Sequence, residues 1–140
     1  MPLRPQIIPN LRYHDAPAAI EFLCRAFGFV EHAVYRDAHD ERIVSHAQLT
    51  YGGQMLMLSS AIDSDWARTA PLRTVRQAGG NTQTLYLVVD DVDAHAARAR
   101  AAGAEIFLEP MDNDYGGRGY GARDPEGNAW SFGSYDPFED

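Results

Sequence analysis

An apolar start, Ile7-Ile8, gives way to alternation over Asn10 to Tyr13, and Ile7 to Tyr13 reads as a strand that Pro9 interrupts and leaves exposed at its start or at a sheet edge. The rhythm then changes. Ile20, Leu23, Cys24 and Phe27 fall at spacings of three, one and three, the face of a helix. Asp15 stands at its N-cap, Ala16 and Pro17 lie in its first turn, and Gly28 closes it. Phe29–Tyr35 and Ile43–Tyr51 return to strand character, joined by the charged loop from Arg36 to Arg42. Gly52-Gly53 turns the chain into a further strand, Gln54–Ser59. The order is β-α-β-β-β.

The second half repeats that order. Thr84–Val89 reads as a strand, Asp90-Asp91 opens a helix, and Ala94 to Ala102 is rich in the strongest helix former. Gly103 ends it, and Ala104–Leu108 begins the next strand. Asp124-Pro125-Glu126-Gly127 is a turn in which proline presets φ and glycine takes a conformation other residues avoid. The strand after it puts Trp130 and Phe132 on one face, read as core, and Ala129, Ser131 and Gly133 on the other, read as the wall of a cavity. An offset of 75 aligns Gly28 with Gly103 and Asp15 with Asp90, and an offset of 74 aligns Gly53 with Gly127. Two anchors agreeing within one residue indicate an internal duplication. The units are residues 1–60 and 82–140. Residues 61–81, with Trp66, Pro71 and Gly79-Gly80, form either a lid or a linker with one helical turn.

Composition narrows the chemistry. The formal net charge is −8, from 20 acids and 12 bases, and every base is arginine. No basic stripe suits nucleic acid. Without lysine there is neither Schiff-base chemistry nor a P-loop. A single cysteine, Cys24, excludes an internal disulfide and is read as a small core residue. No apolar run reaches the length of a membrane span, so the expectation is a cytoplasmic protein with no membrane partner.

Phe27-Gly28-Phe29, Val89-Asp90-Asp91-Val92-Asp93-Ala94, Ala101-Ala102-Gly103-Ala104 and Arg123 through Trp130 together resemble the vicinal oxygen chelate superfamily. That superfamily includes glyoxalase I, extradiol dioxygenases and bleomycin- and fosfomycin-resistance proteins. The resemblance implies an α+β fold of two βαβββ modules whose curved mixed sheets enclose a cavity, with helices on the outer faces. Leu11, Leu49, Leu56, Leu58, Leu85, Leu87, Trp130 and Phe132 then face the helices. Asn10, Arg12, His46, Gln48, Met55, Met57, Thr84, Tyr86 and Ser131 line the cavity.

The superfamily's metal enzymes hold a divalent ion with His, Gln or Glu from the first and last strands of the modules. Carried over by position, those slots fall at Ile8, Thr84, Ser131 and near Met57, and none supplies an imidazole or carboxylate. The expectation is no metal and no cofactor. His46, with Gln48 two residues on, is the one candidate catalytic residue, as a general base or a ligand contact. A hydrogen-bonded structural histidine is the competing reading. Tyr115 and Arg118, in a glycine-rich loop, are candidates to close over a ligand by stacking and ion pairing.

The leading expectation is a metal-independent binder resembling the bleomycin-resistance branch. It holds a small aromatic or cationic molecule between Tyr86, Trp66 and Tyr115, with His46, Gln48 and Arg12 as polar contacts, in a homodimer. The alternatives are a metal-dependent lyase, isomerase or dioxygenase, and a metal-free acid–base enzyme using His46.

Overall fold

The computed structural model describes residues 2–139. The first module runs β1 (Asn10–Tyr13), α1 (Ala16–Phe27), β2 (Val30–Arg36), β3 (Val44–Tyr51) and β4 (Gln54–Ser60). Two short helices follow, α2 (Asp65–Thr69) and α3 (Val75–Ala78). The second module runs β5 (Leu85–Val88), α4 (Val92–Ala101), β6 (Glu105–Asp112), β7 (Arg118–Arg123) and β8 (Ala129–Gly133). The sheets have orders β1-β4-β3-β2 and β5-β8-β7-β6. In each, the first strand pairs parallel to the last and the other pairings are antiparallel.

Local chemistry accounts for the boundaries. The Asp15 side chain accepts the Ala18 N–H at 3.1 Å, and Gly28 ends α1 with φ +87°. The second module's helix α4 is capped by Asp91, the latter of the two aspartates expected to open it, whose carboxylate accepts the Ala94 N–H at 3.0 Å. The first strand is shorter than its apolar pattern. It starts at Asn10, and Ile7 is almost fully exposed, since the residues before Pro9 have no strand to pair with. The segment from 61 to 81 carries two helical turns rather than one, and Thr74 starts the second with a capping box to Gln77.

No strand of one sheet bonds to a strand of the other among the described residues. The modules meet instead through their helices and the sheet faces those helices cover. Phe27, at the end of α1, packs on Trp130 and Phe132 of β8 with ring centroids 5.4 and 4.7 Å away. Arg98 of α4 donates to the carbonyls of Cys24 and Arg25, satisfying the last turn of α1. One core results, containing Leu11, Leu49, Leu56, Leu58, Trp130 and Phe132, with Leu85 and Leu87 at its margin. Burial of each large side chain contributes about 1.5–3 kcal/mol. Cys24 is half-buried rather than wholly inside, and burial pushes its thiol pKa up.

The Asp124 turn ties the modules together. Its carboxylate accepts from the Tyr13 hydroxyl at 2.6 Å and the Trp130 indole at 3.3 Å, and from the backbone N–H groups of Glu126 and Asn128. Two residues on, Glu126 accepts the N–H groups of His14 and Asp15 at 2.7 and 2.8 Å. A turn of the second module thus anchors the first strand and helix start of the first.

Candidate ligand-binding faces

Because the helices occupy one face of each sheet, the opposite faces are left open. On the first, the strand register lays Asn10, Met57 and Gln48 in one row across β1, β4 and β3, with Met55 beside Thr50 and Arg12 beside Ser59. His46 lies two residues along β3 from Gln48, across from Tyr35 of β2. A bulge near Ser45 shifts the pairing between Tyr35 and Arg36, and the His46 and Tyr35 rings stack at 6.2 Å. His46 Nε2 lies 3.2 Å from the Gln48 amide. No carboxylate orients its ring among the described hydrogen bonds, which leaves it a polar contact without the partner that usually tunes a general base.

The second open face is built differently. Tyr86, Ser131 and Gly121 form a row across β5, β8 and β7. A Cβ on Gly133 would lie 2.6 Å from the Tyr86 hydroxyl, and one on Gly121 would lie 2.5 Å from the Phe107 ring. Two aromatic side chains therefore lie down over glycine tracks. A bulge between Ile106 and Leu108 aims Phe107 at this face, and Arg123 sits over the outside of its ring at 4.6 Å. The Tyr86 hydroxyl donates to the Tyr135 carbonyl at 2.6 Å, and burial with the nearby Tyr115 raises its pKa. Tyr86 and Phe107 stay 45% and 44% exposed, and Arg123 already covers one face of the Phe107 ring.

The remaining expected residues are dispersed. Thr84 precedes β5 and is exposed. Trp66 is exposed on α2, and Tyr115 is exposed in the β6–β7 loop with its ring edge against Tyr135. Arg118 is turned to the helix side. Asp93 of α4 accepts two of its N–H groups and Asp112 a third, an arrangement that lowers the Asp93 pKa and leaves the guanidinium engaged. Arg12 points to the seam between the modules, where its Nη2 donates to the Ile62 carbonyl at 2.9 Å. Phe107 was not anticipated. The signal was Gly121 and Gly133 inside strands, where missing side chains mark a close approach by something else.

The donor chemistry at the superfamily's metal positions can be tested directly. Ile8, Met57, Thr84 and Ser131 bring a hydrocarbon, a thioether and two hydroxyls, which do not fit a divalent ion. No group of three or more His, Cys, Asp or Glu converges among the described residues.

This fold, with paired βαβββ modules and open sheet faces, is matched by comparison with known proteins. The profile described as Glyoxalase/Bleomycin resistance protein/Dioxygenase superfamily matches residues 7–132. The chain belongs to that superfamily. It is 33% identical over 131 residues to an uncharacterized protein of Mycobacterium bovis, covering 94% of this chain and 84% of the relative. TioX from Micromonospora sp. ML1 superposes with a TM-score of 0.71 at 33% identity, covering 93% of this chain and 98% of TioX. Glyoxalase I from Zea mays shares the fold at a TM-score of 0.65 and 20% identity, covering 91% of this chain and 43% of that protein. No helix among the described residues is long and apolar enough to cross a membrane.

Proposed function

We propose that this protein binds a planar aromatic small molecule, neutral or cationic, without a metal ion, on its open sheet faces. The observation that carries this reading is that one sheet exposes the rings of Tyr86 and Phe107 and the other presents Met55 and Met57 beside Gln48. Flat rings supply stacking surface, thioethers adjust to ligand shape, and a few polar groups set orientation. The negative net charge favours a cation over an anion on approach to these faces.

A homodimer completes the reading. Each chain leaves both open faces apolar in part, and its two sheets are held apart by the helices between them. Juxtaposing the first-module face of one copy with the second-module face of another would bring the methionine row opposite the aromatic pair and exclude water from between them. Light scattering should report a dimer, and calorimetric titration with planar aromatic amines should saturate at a defined stoichiometry. Met57→Ala with Tyr86→Ala should abolish that binding while the helical circular dichroism is unchanged. A monodisperse monomer with no saturable binding across the panel sinks the proposal.

A further inference from the structure

Arg12 of β1 is a charged group with little to balance it. In a chain whose acids outnumber its bases by 20 to 12, this half-buried guanidinium has no carboxylate partner among the described ion pairs. Its Nη2 is fixed by the Ile62 carbonyl, and its Nε is enclosed with no hydrogen-bond acceptor at all. A buried donor without a partner is costly and uncommon, and costlier when it carries charge.

Arg12 lines a cleft of about 310 Å³ at the seam between the modules, roofed by the segment 71–83 and floored by Leu11 and Trp130. Leu72, Val75 and Leu85 supply its apolar wall. A second arginine, Arg73, stands at the cleft and is also free of ion pairs among the described residues. No aspartate or glutamate lines it. Two of the three asparagines that line it, Asn81 and Asn128, are already engaged, and the third, Asn10, is on β1 beside Arg12. Asn81 clamps the Gly127 carbonyl and the Ala129 N–H, and Asn128 reaches Asp124, so neither competes for an anion. The cleft thus concentrates positive charge and apolar surface in a protein that is negative elsewhere.

We infer that this inter-module cleft is a binding site for a small organic carboxylate, its acid group held by Arg12 and its aryl or branched alkyl body held against Leu72, Val75 and Leu85. The volume admits a single-ring acid, at the low end of small-molecule sites. A carboxylate would pair with the terminal nitrogens of the guanidinium, in the charge-assisted geometry arginine favours, and offset the charge that no side chain of the protein balances there. This site adjoins the first open face at Asn10 and Arg12, but it does not rest on that face's assignment, since its ligand is an anion and that face's is not.

Trp130 on the cleft floor is a built-in reporter, because the only other tryptophan, Trp66, can be removed from its exposed helix. In a Trp66→Phe background, titration with benzoate should change the Trp130 emission saturably at millimolar concentrations or below. Benzamide, of the same shape without charge, should bind at least about tenfold more weakly, as expected for losing a hydrogen bond to a charged group. Arg12→Gln should weaken benzoate by a similar factor, and Arg12→Lys should recover part of it. The comparison of benzoate with benzamide needs no variant, so a folding defect in Arg12→Gln leaves the test intact. Equal binding of the two ligands, or no saturation with benzoate, overturns the inference. Inorganic phosphate displacing benzoate at matched concentration would show that charge alone is read, and would overturn the claim for an apolar body. If planar amines fail to bind while benzoate succeeds, only the sheet-face reading falls.

Discussion

The two modules share one topology and use their open faces in opposite ways. The first leaves its face to flexible thioethers, Met55 and Met57, with His46 and Gln48 beside them. The second removes side chains at Gly121 and Gly133 and lays Phe107 and Tyr86 over the gaps. Duplication preserves the backbone because the turns and caps specify it locally, whereas the face residues are constrained only by what must fit against them. The turns differ too. Gly52-Gly53 closes a two-residue hairpin in open space, while the matching turn at Asp124 is buried and bonded into the other module. Only the second turn is tied into the tertiary structure.

That asymmetry can be broken first at Asp124. Asp124→Ala should lower unfolding free energy in urea by about 3 kcal/mol, since it strands the buried Tyr13 hydroxyl and Trp130 indole N–H together with two turn amides. A loss below about 1 kcal/mol would mean the turn is not the tie between modules. Next, Gly133→Ala should cost about 2 kcal/mol, because the added methyl meets the Arg118 carbonyl at 2.9 Å and that backbone cannot yield. Gly52→Ala, at φ +58°, should cost only about 1 kcal/mol, and Gly53→Ala, with nothing nearby, less than about 0.5 kcal/mol. Equal costs at Gly53 and Gly133 would remove the distinction between the turn and the aromatic track.

The helices extend the comparison to pH. His95 of α4 holds the place that Ile20 holds in α1 when the closing glycines are aligned. Its Nε2–H donates to the Phe27 carbonyl at 2.8 Å, which leaves Nδ1 to accept from the Tyr120 hydroxyl at 2.5 Å. Burial, with Arg98 nearby, holds the imidazole below its ordinary 6.5, against a smaller upward pull from the Phe27 carbonyl. The unfolded chain therefore takes up this proton more readily than the folded one. The stability it contributes is complete above about pH 6.5 and is lost as pH falls through the depressed value. Thermal melts from pH 7.5 to 5 should show a decline that His95→Gln flattens; parallel slopes for the two proteins would assign the decline elsewhere.

Most of the scaffold was legible in advance because its signals are local. Asp15, Gly28, Gly103 and the Asp124–Gly127 turn act on their own backbone, and period-two alternation placed Leu56, Leu58, Trp130 and Phe132 in the core without reference to any partner. The same alternation put Gln48, Met57, Tyr86 and Ser131 on the open faces. Arg118 was a candidate from its glycine-rich loop alone, and that loop gives no sign of the acids that engage it, because they depend on α4 packing beside β7.

Sequence alone settled which residues turn, cap and alternate, since each of those preferences is decided within a few bonds of the residue itself. Only the tertiary structure decided that the modules join through their helices, that Phe107 lies over Gly121, and that Arg12 faces a cleft without an acid. Those outcomes depend on which distant surface arrives opposite a side chain, and neither propensity nor periodicity carries that information.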